Sequence, residues 1–198
     1  MEKIVHRYQL IQESNCDQIS VHPEIENILF RHRKQISLEM SNIIGIHHID
    51  YVSYSIITPR NQLVIFSSTP SVEHNLIHLN LLSLDNLYNP IFHTDARLCW
   101  WNEVYAPFAA TAFRKAKEID HGYTHGFGFG RHIQGLKMTY SFATRADITH
   151  AKLFYLHHHA DLIKLGDYGF KRLTHITKQY LDAGEKVSSR CHLDLIKS

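Results

Sequence analysis

Apolar residues recur at helical spacing from about Pro23 to Ile44, where Ile25, Ile28, Leu29, Ile36, Met40 and Ile43 fall on one stripe. Pro23 suits the first turn of that helix and Gly45 its stop. The pattern then changes period. His48–Ile57 and Gln62–Ser68 are rich in β-branched and aromatic residues, and the Thr-Pro-Arg-Asn connector between them predicts a hairpin. Thr69-Pro70 offers a cap and first position for a short helix to about Leu82. Arg97–Trp101 reads as a strand, and Ala106–Ile119 as a helix with Phe108, Ala112, Phe113 and Ala116 inward. A second hairpin, Tyr123–Arg131 and Leu136–Thr144, turns at His132-Ile133-Gln134-Gly135. Asp147 can cap a helix to about Leu165, Gly166 and Gly169 interrupt it, and Phe170–Leu181 forms another that Gly184 ends. Two hairpins, a fifth strand and interleaved helices predict an α+β fold: an α/β/α sandwich whose central antiparallel sheet of about five strands carries helices on both faces.

Because side chains alternate along a strand, each hairpin sorts its residues onto two faces. Symmetric closure of the second hairpin sets Gly126 opposite Ser141 and Gly128 opposite Thr139, a small and hydroxylated face, against Phe127, Phe129, Met138, Tyr140 and Phe142. The same treatment of the first hairpin groups Ile49, Tyr51, Ser53, Ser55, Val64, Phe66 and Ser68 against Tyr54, Ile56, Leu63 and Ile65. A buried hydroxyl without a partner costs about 1–3 kcal/mol. A face with so many hydroxyls therefore meets solvent, finds internal acceptors, or holds a polar ligand in the space that Gly126, Gly128 and Gly130 leave.

Composition narrows the function. The 198 residues are 44% hydrophobic and 20% charged, and contain neither internal repeats nor a low-complexity linker, so a single domain with its core between about 23 and 183 is expected. A net charge of +2 gives no field suited to nucleic acid or anionic lipid. No apolar run reaches the ~18 residues that span a bilayer. Cys16, Cys99 and Cys191 have no paired spacing and MEKIVHRYQL lacks a signal-peptide core, so a reducing cytoplasm is expected.

The Leu84-Asp85 pair, Trp100 fifteen residues later, and the segment HGYTHGFGFGRHIQGLKMTYSFATR together resemble the autoinducer-binding domain of LuxR-type quorum-sensing regulators, approximately from Ile44 to Thr144. The resemblance implies a PAS-like sandwich in which Asp85 accepts a hydrogen bond from a ligand amide, Trp100 lines the pocket and Ser141 touches the ligand. Ser68, Ser53, Ser55, Thr139 and Tyr51 complete the expected binding set. It also implies signalling, transcription regulation and dimers, either homodimers or heterodimers with a LuxR-type regulator. The sequence departs from the family where a Tyr, Trp, Tyr series at four-residue intervals clasps the acyl-homoserine lactone; here the residues are Ser68, Val72 and Leu76. An amide- or hydroxyl-bearing ligand other than a standard acyl-homoserine lactone is therefore expected. The residues after Gly184 are too few for a helix-turn-helix, so direct operator binding is not expected.

Two other functions remain open: a ligand-independent antagonist that forms mixed dimers with longer regulators, and a hydrolase or transferase using Cys99 or a histidine. Cys99 beside two tryptophans reads as a buried apolar thiol, and no catalytic residue is assigned. Successive side chains of His157-His158-His159 point ~100° apart on a helix and cannot converge on one ion, and the His-Glu-x-x-His pattern is absent. No metal and no cofactor are expected. Gly126, Gly128 and Gly130 lack the spacing and the following helix of a dinucleotide site.

Overall fold

The computed structural model describes residues 19–89, 96–133 and 135–181. Cys16, Cys191 and Gly184 lie outside them. The strands are β1 (Ser20–Val21), β2 (Tyr51–Ile57), β3 (Gln62–Ser67), β4 (Cys99–Trp100), β5 (His125–Ile133) and β6 (Leu136–Thr144). They form one sheet in the order β1-β3-β2-β6-β5-β4. All neighbours are antiparallel except β1, which lies parallel to β3, making six strands where about five were expected.

The helices are α1 (Ile25–Arg31), α2 (Arg33–Met40), α3 (Pro70–His78), α4 (Trp101–Val104), α5 (Ala110–Phe113), α6 (Ala151–His157) and α7 (His159–Leu181). The amphipathic stripe from Pro23 is thus two helices, broken at His32 (φ −100°, ψ 6°). One sheet face is covered by α2, α6 and α7, which bury Ile36, Met40, Tyr155, Leu162, Leu173 and Ile176 against Tyr54, Phe66, Phe127, Phe129, Tyr140 and Phe142. The other is covered by α3, α4, α5 and the turns around them. Helices on both faces of an antiparallel-rich sheet bear out the sandwich that the hairpins predicted. Among the described residues no helix is long and apolar enough to cross a membrane.

Two glycines expected to interrupt the C-terminal helix lie inside α7. A Cβ at Gly166 would stand 2.2 Å from Tyr140 Cδ2, and one at Gly169 would stand 2.0 Å from the Tyr54 hydroxyl. Bare backbone lets α7 approach the sheet's aromatic face, and that gain outweighs the ~1 kcal/mol glycine costs a helix interior.

Register decides which residues share a face. In the second hairpin Ile133 pairs with Leu136, so Gly126, Gly128 and Gly130 oppose Ala143, Ser141 and Thr139. This lies two residues from symmetric closure around 132–135, and an even shift leaves every side chain on its expected face. The first hairpin differs by one. Thr58 and Gln62 pair around Pro59, Arg60 and Asn61, with Asn61 in the left-handed region (φ 55°). A three-residue connection closing on a left-handed residue is a standard hairpin geometry. It places Leu63, Ile65 and Ser67 beside Tyr51, Ser53 and Ser55, and turns Val64 and Phe66 to the aromatic side. Ile49, expected with Tyr51, packs on the aromatic side as well.

Candidate functional site

The hydroxylated face is an interior surface. Ser53, Ser55, Ser67, Thr139 and Ser141 are all buried on it, as are Tyr51, Glu73, Asp85 and Lys117. Strands β2, β3 and β6 supply the hydroxyls through their alternation, and the segments that cover them supply the charges.

Asp85 sits between two short 3-10 turns, Leu82–Leu84 and Asn86–Tyr88, and caps the second. Its Oδ1 accepts from the Leu87 amide at 3.1 Å and its Oδ2 from Lys117 Nζ at 2.8 Å. The two side chains are 0% and 3% exposed respectively. Both readings of Asp85 are therefore visible: it caps a turn, and it holds a buried charge at the sheet face. A carboxylate offers about four lone-pair sites, so these two bonds leave acceptor capacity on both oxygens.

Lys117 was not anticipated. It lies in the charged run Arg114-Lys115-Ala116-Lys117-Glu118, which reads as a solvated surface. The signal that could have found it is its position four residues after Phe113, on the stripe with Ala116. The stripe is carried by α5 and the π-helical turn Arg114–Glu118 that continues it. Phe113 and Ala116 are buried as expected, whereas Phe108 is 77% exposed and Ala112 lies at the surface. The helical stripe starts after the 3-10 turn Pro107–Ala109, so Phe108 is out of phase with it. Lys117 Nζ lies 4.3 Å from the centroid of Trp101 and 5.5 Å from that of Tyr105, so two aromatic faces help hold the cation.

The tryptophans face opposite ways, as an extended segment requires, but in the reverse of the expected sense. Trp100 pairs with Phe127 and packs with Tyr155 on the aromatic side, at 5.4 and 6.2 Å between ring centroids. Trp101 opens α4 on the Asp85 side, where its Nε1 donates to Ser141 Oγ at 2.9 Å. It also fills the space expected to be vacant: a Cβ at Gly126 would lie 2.0 Å from its Cε3. At Gly128 a Cβ would meet the Tyr140 carbonyl at 2.8 Å and Leu87 Cδ2 at 3.6 Å. These two glycines admit protein atoms rather than leaving a shelf.

Thr139 Oγ1 donates to the Leu87 carbonyl at 3.0 Å. Tyr51 donates to Glu73 Oε1 in a short hydrogen bond. Burial pushes the Glu73 carboxyl above its ordinary range, against the opposing pull of the Tyr51 and Ser67 hydroxyls and of Lys117. Burial also raises the phenols of Tyr51 and Tyr88, with Glu73 adding to the first and Asp85 to the second. Ser53 and Ser55 lie toward those two phenols, yet their Oγ atoms make no well-formed hydrogen bond, nor does Glu73 Oε2. Ser68 does not join this set. The one-residue register difference leaves it half-buried beyond β3, where its Oγ accepts from the Val52 amide at 3.0 Å, and Ser67 takes the interior position. Val72 and Leu76, from the inner side of α3, are buried against the same surface.

Cys99 is buried within this apolar cluster, its Sγ 3.6 Å from the Arg97 carbonyl.

No protein-family model matches the sequence, and no curated protein sequence matches it. Solved structures do. SdiA in complex with octanoyl-rac-glycerol superposes over 80% of this chain with a TM-score of 0.58 at 15% identity. The chain spans 66% of the length of that SdiA chain. A second SdiA structure, from Escherichia coli, covers 98% of this chain and is itself covered over 75%, with a TM-score of 0.51 at 14% identity. CepR2 of Burkholderia cenocepacia, an N-acylhomoserine lactone dependent LuxR family transcription factor, matches 70% of this chain and 79% of its own at a TM-score of 0.47 and 17% identity. The sheet order, the helices on its two faces and the superposition on SdiA lead to one conclusion: this chain shares the fold of the two SdiA structures.

Proposed function

We propose that this chain is a non-enzymatic sensor domain whose Asp85 face binds a small amide- or hydroxyl-bearing ligand and passes the binding event to a protein partner, in homodimers or in heterodimers with LuxR-type regulators. The observation that carries this reading is the concentration of buried hydroxyls and carboxylates on one sheet face, where Ser53 Oγ, Ser55 Oγ and Glu73 Oε2 make no well-formed hydrogen bond, while on the aromatic side the Tyr54 hydroxyl shares that state. Each such group costs about 1–3 kcal/mol when unsatisfied, and a ligand that hydrogen-bonds them recovers that cost on binding. Asp85 and Lys117 add a fixed acceptor and donor beside them.

Ligand chemistry follows from what lines the site. Val72 and Leu76 supply apolar surface but no hydrogen-bond donor, so the lactone clasp of the family is replaced by aliphatic contact. A head group with several hydroxyls fits a surface of serines and carboxylates better than a lactone. The SdiA structure that superposes on this chain holds octanoyl-rac-glycerol, which offers such a head group.

Thermal-shift measurements of the full chain with monoacylglycerols, acyl amides and acyl-homoserine lactones test the proposal. At one hundred times its dissociation constant a ligand adds ~2.7 kcal/mol, so a hydroxyl-bearing ligand should raise Tm by several degrees, and Asp85→Asn should weaken the response. No shift with any class at saturation, together with a tight dimer unaffected by Asp85→Asn, would instead support the ligand-independent antagonist.

A further inference from the structure

Helix α3 has an inner side that carries Val72, Glu73 and Leu76 and an outer side that carries His74 and His78. The two imidazoles are four residues apart, hence stacked along one side of the helix. Their Nε2 atoms are 2.8 Å from each other, and the rings cross at 66°. Helix α1 brings Glu26 Oε1 to 4.0 Å from His78 Nε2. All three ligand atoms lie within 4.8 Å of one another. Phe30 of α1 meets the His74 ring edge-on at 5.4 Å between centroids, which limits the directions that ring can take.

We propose that Glu26, His74 and His78 form a binding site for a divalent cation of the zinc class. Two imidazole nitrogens and one carboxylate oxygen are a donor set suited to borderline cations rather than to magnesium or calcium, which prefer oxygen. With metal–nitrogen bonds of about 2.0–2.1 Å, ligand atoms around a tetrahedral ion stand roughly 3.3 Å apart. The 2.8 and 4.0 Å separations bracket that value, and all three side chains are solvent-accessible and reach it by small rotations. Three protein ligands leave a fourth position for water or for a partner's side chain.

A second group, His47, His158 and Asp161, meets the same distance condition but not the same geometry. His47 and His158 stack face to face at 4.1 Å with 29° between planes, so their in-plane lone pairs run side by side instead of converging. Asp161 is engaged by Lys164 at 3.2 Å.

An ion held by Glu26, His74 and His78 ties α1 to α3 from outside, one residue away from the buried Glu73. Calorimetric titration of the full chain with zinc chloride, with the visible bands of a cobalt(II) complex as second readout, tests the site. The expected result is one tight equivalent, lost in His74→Ala and in His78→Ala by more than the roughly 10–100-fold typical of removing an outer-shell partner, and weakened in Glu26→Gln. Zinc should also raise Tm by roughly 5–10 °C at a hundredfold excess over Kd, and should fail to do so in the His74→Ala variant. Unchanged affinity in the His74→Ala/His78→Ala double variant overturns the proposal, as does loss of the equivalent on His47→Ala or His158→Ala instead. Absence of binding at millimolar zinc overturns it as well.

Discussion

On the side of the sheet that faces α2, α6 and α7, burial is achieved with rings: Tyr54, Phe66, Phe127, Phe129, Tyr140 and Phe142 interlock with Tyr155 and the aliphatic residues of the helices. On the opposite side the same strands present Ser53, Ser55, Ser67, Thr139 and Ser141, and the covering segments answer with Glu73, Asp85 and Lys117. One surface is packed chiefly with rings, and the other combines an apolar cluster with buried hydroxyls and an ion pair. The difference shows that strand alternation alone can give a single sheet an aromatic side and a hydroxylated side.

Removing one partner of that ion pair separates the two sides most sharply. Lys117→Met strands the Asp85 carboxylate in the interior, and breaking a buried pair in this way costs about 3–5 kcal/mol. Chemical denaturation should show that loss, and the double variant Lys117→Met/Asp85→Leu should regain most of it, because it leaves no unpaired charge. A single variant as stable as the parent would mean that the pair is not buried as described.

Close packing provides a smaller contrast. Gly126→Ala pushes a methyl group into the Trp101 indole and should cost about 1–3 kcal/mol through overpacking. Displacing the indole also breaks its bond to Ser141, so the tryptophan emission should change. Gly169→Ala meets the Tyr54 hydroxyl on the aromatic side, but gains about 1 kcal/mol of helix propensity. It should therefore be milder than Gly126→Ala and leave the emission unchanged. The reverse order would make α7 the more tightly constrained element.

The smallest effect is expected at Glu73. Its folded-state pKa is raised, so its contribution is fully present below its unfolded value and is lost as pH rises through the folded one. Measured from about pH 4 to neutrality, across the ordinary carboxyl range and upward, Tm of Glu73→Gln should gain progressively on the parent. A Glu73→Gln Tm that falls relative to the parent as pH rises would show that the Tyr51 and Ser67 hydroxyls outweigh burial.

The sequence pattern revealed most of the architecture and the polar side of β2, β5 and β6, because alternation survives any register error of two. It fails for β3, where the turn contains one residue fewer than symmetric closure around Thr58–Asn61 assumes, so that Ser67 holds the interior position expected of Ser68. The inward role of Trp101 is not legible in the sequence, because the strand ends at Trp100 and a helix begins on the next residue, a boundary that no apolar periodicity marks. Lys117 is hidden by its charged neighbours, and Gly166 and Gly169 look like breaks in sequence because close approach of another element is a tertiary fact. Asp85 could be singled out only through the family resemblance, since an isolated aspartate in a turn is otherwise ordinary.

The hairpin turn at Pro59, Arg60 and Asn61 has a reach out of proportion to its size. Inserting or deleting a single amino acid there, far out on the surface, would shift β3 by one step against β2 and exchange its sides: Phe66 would swing to the hydroxylated side and Ser67 would be driven among the rings. Length at that bend is thus as tightly specified as the identity of any residue it helps to place.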